Sequence, residues 1–166
     1  MRVRFPLLGV LIATLGAVVT ACASPTPVPA GADNAAAEET LSSFLSMLAT
    51  GDYGQAAALY AGPLDSVQAW NPEIDAQDVG GLIGYGCESR LLQCLSVRSI
   101  ALAETAPGGE MVFNVEFGLP DGTLFVRGPC CGATSTEMPD QSVFAFRVQQ
   151  KAGGGFVVLD LPPYVP

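Results

Sequence analysis

Residues 110–118 read EMVFNVEFG. Met111, Phe113, Val115 and Phe117 fall on one side of an extended chain, because successive strand side chains point to opposite faces. Glu116 falls on the other side. One apolar and one mixed face predict a strand covered by a partner layer on one side only. Outward from this strand, LPDG at 119–122 is a turn: Pro120 sets φ, and Gly122 supplies a positive φ. TLFVRG (123–128) predicts another strand segment. SVFAFRVQQ (142–150) alternates again through Phe144, Phe146 and Val148. KAGGG (151–155) turns the chain, and FVVLDLP (156–162) closes the sheet. On the other side, LSVRSIALAE (95–104) is a strand whose apolar phase shifts near Ser99, which predicts a bulge.

Before residue 95 the period is helical. Leu41, Phe44, Leu45 and Leu48 recur at i, i+3, i+4 and i+7, one apolar stripe. Asp33 or Asn34 is expected to cap this helix and Gly51 to end it. Asp52 opens a shorter helix over YGQAAALYAG, with Gln55 in capping-box position. The chain is expected to loop from Pro63 to Asn71, and a glycine-loosened third helix is predicted around Asp75–Tyr85. Three helices followed by an antiparallel sheet of four or more strands make an α+β layer fold, with the N-terminal helices packed on a curved sheet. Phe44, Leu48, Phe113, Val115 and Phe144 are the expected core.

The stretch FLSMLATGDYGQAAALY (44–60) resembles the opening of the cone-shaped nuclear transport factor two-like (SnoaL-like) superfamily. There a helix, a GDY break and an alanine-rich second helix precede a meander sheet. The resemblance covers about Ala35 to Leu161. It implies a cystatin-like α+β cone of the kind that small bacterial lipoproteins of unassigned function carry. The glycine-rich third helix and the cysteine content depart from the family pattern.

The first residues hold Arg2 and Arg4 and no acid, and the fourteen from Pro6 to Val19 hold no charge. That is a signal-peptide pattern, too short for a comfortable span. It ends in Val19-Thr20-Ala21-Cys22, which resembles the lipobox of bacterial lipoproteins. The resemblance implies that Cys22 carries a diacylglycerol, that residues 1–21 are removed, and that the new amino group takes a further acyl chain such as palmitate. Each buried CH₂ then adds about 0.8 kcal/mol of anchoring. An ordinary secretory signal, leaving Cys22 a free thiol, and an uncleaved membrane anchor are the competing readings. Residues 22–34 form a proline-containing spacer, and 35–166 a single domain. The expected address is the extracytoplasmic side of a membrane. Ala23, rather than Asp, after the cysteine points to outer-membrane sorting where two membranes exist.

From Cys22 on, five cations face sixteen acids, a net charge of −11. Such a chain repels phosphate backbones and anionic headgroups, so nucleic acid is not an expected partner and the lipid on Cys22 alone holds the membrane. There is no histidine. That removes Asp–His dyads, Ser–His–Asp and Cys–His triads, and nearly all zinc and non-haem iron sites. Acid–base chemistry would fall to Asp75, Asp78, Glu116, Tyr53, Tyr60 or Tyr85, and no pair of acids has a spacing that demands it. No cofactor is called for: GGLIGYG (80–86) lacks the lysine and preceding strand of a phosphate loop, and DAQD (75–78) lacks the ligands of a calcium loop. The expected role is binding or scaffolding for a protein or small-molecule partner. The alternative is a small apolar ligand held inside the cone by Tyr60, Trp70, Tyr85, Phe113 and Phe146; an enzyme using a carboxylate or tyrosine ranks third.

Cys87, Cys94, Cys130 and Cys131 remain. An even number in an exported domain predicts disulfides, and four cysteines allow three connectivities. Crosslinks between the two pairs and the short Cys87–Cys94 loop both stay open.

Overall fold

The apolar stripe over 37–48 becomes a helix because its spacing puts Ala37, Leu41, Phe44, Leu45 and Leu48 on one face, and all five are buried. In the computed structural model, which describes residues 30–165, this helix is α1, Ala30–Thr50. The lipobox, Cys22 and the spacer up to residue 29 lie outside the described residues. The start of α1 differs from expectation. Asp33 and Asn34 are not caps, since the helix already runs from Ala30; Asp33 sits in the first turn, where a carboxylate favours the helix dipole. Its end follows expectation. Gly51 takes φ +82°, its N–H donates to the Leu48 carbonyl (3.3 Å) and the Asp52 N–H to that of Met47 (2.8 Å), the paired bonds of a Schellman stop.

Asp52 opens α2, Tyr53–Ala57, but its carboxylate caps no backbone N–H; the Gln55 side-chain amide donates to it instead, at 2.7 Å. Where a loop was expected, a six-residue helix α3 runs over Asp65–Trp70. The next helix, α4, spans Val79–Glu88 and so begins after Asp75. Asp78 caps it, accepting from the Gly81 N–H at 2.9 Å. Among the described residues four helices therefore precede the sheet, not three. The α4 glycines allow close approach: a Cβ at Gly84 would lie 2.8 Å from Cδ2 of Tyr53 in α2.

The sheet is a four-stranded antiparallel meander in the order β1-β2-β3-β4, formed by Ser96–Thr105, Met111–Gly118, Phe144–Gln150 and Phe156–Val158. β1 carries the expected bulge at Val97/Ser99 and a second at Leu102/Glu104. The segment 123–128 is not a strand. It makes only isolated bridges, Gly118 with Leu124 and Arg127 with Gln141. The Phe125 N–H donates to the Phe117 carbonyl at the end of β2, the Arg127 backbone pairs with Gln141 at a loop neck, and no continuous ladder forms. On β2 and β3 the inward residues are Met111, Phe113, Val115, Phe117, Phe144, Phe146 and Val148. They meet α1 in one apolar cluster holding all five expected core residues. No buried polar or charged residue occurs among the described residues.

Candidate functional site

The layer between α1 and the sheet is filled. Phe113 and Phe146 are almost wholly buried beside Phe44 and Phe117, so these two expected ligand-lining residues are core residues. Tyr85 is half-buried on α4 and lines none of the grooves described below. Of the expected five, Phe146 borders one groove, and the structure brings Tyr60 and Trp70 together at another, on the edge of the helix–sheet layer. There Tyr60 stacks on Phe44, with ring centroids 5.8 Å apart.

That edge site is built by the end of the chain. The Gln93 N–H donates to the Pro163 carbonyl and the Val165 N–H to that of Leu91, both at 2.9 Å. Residues 162–165 are thus strapped onto the turn that follows α4. The turn is itself closed by a Cys87–Cys94 disulfide, with Cα atoms 5.5 Å apart. Leu92 reaches back against Gly86, where a Cβ would lie 2.6 Å from Leu92 Cδ1. This strap stacks Tyr164 on Trp70, ring centroids 4.7 Å apart and planes 22° from parallel. Pro162-Pro163 stiffens the tail, and Tyr164 keeps 39% of its surface exposed.

Tyr164 borders three grooves. One, of about 450 Å³, runs past Tyr60, Trp70, Leu92, Asp160 and Leu161. The second, about 580 Å³ and more apolar, lies between Phe125, Val126, Met138 and Val165, with Cys130 and Cys131 on its lip. The third, about 380 Å³, passes between Arg127 and Asp160. The first two grooves are mainly apolar and the third mainly polar; apolar grooves of this size with a few polar groups match the usual scale of small-molecule sites.

The polar groups are few and mostly engaged. The Tyr60 hydroxyl donates to the Pro63 carbonyl at 2.9 Å. Burial, and then the negative charge of Asp160, push its pKa well above the ordinary tyrosine value, against the opposing pull of Arg147. Asp160 takes a two-pronged bond from Arg147, Nη2 to Oδ1 at 2.7 Å and Nε to Oδ2 at 3.0 Å, and the Arg147 N–H adds a third at 2.7 Å. Asp160 in turn holds the Arg147 guanidinium more firmly charged. At the second groove, the Arg127 guanidinium lies 5.8 Å from the Phe144 ring centroid and bonds the Gln141 side chain.

The other expected acid–base residues stay apart. Glu116 accepts from the Ser99 hydroxyl at 2.8 Å on the outer sheet face, Asp75 accepts from the Gln77 N–H, and Asp78 is the α4 cap. Burial, followed by Glu88, raises the Tyr53 pKa. Among the described residues, no three cysteine or carboxylate side chains gather as a metal site would require.

The sequence reading missed Tyr164, Leu92, Asp160, Phe125 and Met138. One signal was legible: an aromatic after two prolines, whose fixed φ values hold the chain extended there. The Cys87–Cys94 disulfide joins α4 to the turn that follows it, Cys130 and Cys131 are unpaired, and no crosslink joins the two pairs. No protein-family model, curated protein or solved structure matches this chain.

Proposed function

We propose that this chain is a lipid-anchored, extracytoplasmic binding domain that takes a small apolar ligand against Tyr164. The anchor rests on the charged, apolar and Val19–Cys22 pattern of residues 1–22. The Cys87–Cys94 disulfide supports the compartment, because such bonds persist outside the reducing cytosol. The helix-then-meander order supports the further proposal of a cone of the nuclear transport factor two-like kind, with its interior packed and its binding surface moved to the outside. The observation that carries the binding role is the convergence of three grooves on one exposed, stacked tyrosine.

Trp70 is the only tryptophan, so its emission reports on the site. Nile red, a neutral apolar probe, is expected to quench Trp70 saturably, and Tyr164→Ala to weaken the effect severalfold. Unchanged Trp70 emission at saturating probe overturns the binding role. The anchor is tested separately. Cys22→Ser should yield unprocessed precursor or released soluble protein, whereas a wild-type mature mass without acyl groups overturns it.

A further inference from the structure

Cys130 and Cys131 are neighbours in sequence and their sulfurs face each other, with Sγ atoms 2.8 Å apart. Even unbonded carbon atoms rest farther apart, at about 3.5–4.0 Å, and sulfur is larger. Facing sulfurs are not the default for adjacent residues, whose side chains diverge in extended chain. The backbone makes the arrangement possible: Cys131 sits at φ +60° and Gly132 follows at φ +88°. A non-glycine residue enters that region only when its surroundings hold it there.

The surroundings do so. The loop over 128–140 is pinched at its neck by paired bonds between the Arg127 and Gln141 backbones, 2.8 and 2.9 Å. Inside it the Ala133 N–H donates to the Cys130 carbonyl at 2.9 Å. Glu137 accepts from both the N–H and the hydroxyl of Thr134, at 2.8 and 2.9 Å. Cys131 is exposed and Cys130 half-buried, and both line the apolar groove beneath Tyr164 and Val165. Among the described residues the other two cysteines, Cys87 and Cys94, are bonded to each other.

We propose that Cys130 and Cys131 are a redox modification site that closes a vicinal disulfide on the lip of this groove, with a disulfide-bearing oxidant RSSR as co-reactant. The exposed Cys131 thiolate attacks RSSR, forming Cys131–S–S–R and releasing RS⁻. The Cys130 thiolate then attacks Cys131 Sγ and releases the second RS⁻. The two thiol protons pass to the two RS⁻, so the cysteine pair loses two electrons and RSSR becomes two RSH. The order of attack fits the thiols: the hydrogen bond with Cys131, with desolvation and the Cys131 charge adding to it, holds Cys130 above the ordinary thiol range, against Arg127. Adjacent Cα atoms lie about 3.8 Å apart, below the roughly 4.4–6.8 Å that disulfides prefer. The bond is therefore readily reversed, unlike Cys87–Cys94. Closing it joins the two side chains in a small ring through their own peptide and fixes the lip of the groove.

The test uses the purified full chain in stepped mixtures of glutathione and glutathione disulfide, followed by alkylation and peptide mass analysis. The peptide holding Cys130 and Cys131 is expected to lose two hydrogens without keeping glutathione, at a glutathione ratio that leaves Cys87–Cys94 oxidised throughout. Cys130→Ser and Cys131→Ser should each retain one glutathione. Two alkylated thiols in excess glutathione disulfide, a glutathione adduct persisting on the wild-type pair, or a covalent dimer through either cysteine would each overturn the vicinal bond. Amide exchange over 128–140 should slow on oxidation; unchanged exchange overturns the fixing of the lip. None of these readouts depends on the membrane address.

Discussion

Phe113 is wholly buried between α1 and the sheet, so its truncation opens a cavity that rigid neighbours cannot refill. Phe113→Ala should lower unfolding free energy by about 3–5 kcal/mol, read from the midpoint of urea denaturation. Its position was legible because burial on a strand depends only on alternation. Tyr60 was legible only as an aromatic. The groups that set its chemistry, Pro63 and Asp160, are placed by the fold, and the second lies a hundred residues away along the chain. Its pKa is raised above the ordinary value of 10.0, so the folded state holds this proton more tightly than the unfolded chain. That stabilisation is complete below pH 10.0 and is lost as pH rises from there through the folded value. Stability should therefore fall above about pH 10, together with a tyrosinate absorbance step. Tyr60→Phe should flatten this part of the pH dependence while losing the bond to Pro63.

At the level of elements, the α2–α4 contact separates two glycines of the same composition by what surrounds them. An added Cβ at Gly54 meets nothing within 4 Å, so Gly54→Ala should stabilise by about 0.5–1 kcal/mol through backbone entropy. At Gly84 it meets the Tyr53 ring at 2.8 Å, and Gly84→Ala should destabilise despite the same entropic gain. Thermal melts of the two variants moving in opposite directions confirm the close approach. The strands with strict alternation were legible, as was the β1 bulge, because a phase slip in apolar residues must be absorbed by an extra residue. The segment 123–128 misled because alternation promises a face and not a partner: β3 pairs with β2 only as far as Val115, and beyond it the segment meets β2 in a single bridge, Gly118 with Leu124. α3 was missed because six residues show less than two helical turns of pattern.

For the whole molecule, the Cys87–Cys94 bond ties the α4 turn that carries the C-terminal strap. Its loop is short, with a sequence separation of 7, so the chain-entropy model gives about 2.5 kcal/mol. Reduction, or Cys87→Ser with Cys94→Ser, should lower the melting temperature by roughly 5–12 °C and weaken the Trp70–Tyr164 stack, seen as a shift in Trp70 emission. The even number of cysteines predicts that all four pair, but only Cys87 and Cys94 do, and Cys130 and Cys131 stay free thiols. Which ones pair was not legible, because connectivity is set by the approach of distant segments. The same reason hid the groove, whose walls come from α3, the disulfide turn and the tail.

The sheet has two unlike sides. β4 is covered by the chain after α2, where the Ala61 N–H donates to the Val158 carbonyl and the Val158 N–H to that of Leu59. β1, with two bulges and the charged Arg98 and Glu104, faces outward. A bulge breaks the even spacing of free N–H and C=O groups, and a second strand laid along β1 would fall out of step after a few residues. Copies crowded side by side would find no continuous template there, so the molecule keeps its individuality at local concentrations where a smooth edge would seed fibres.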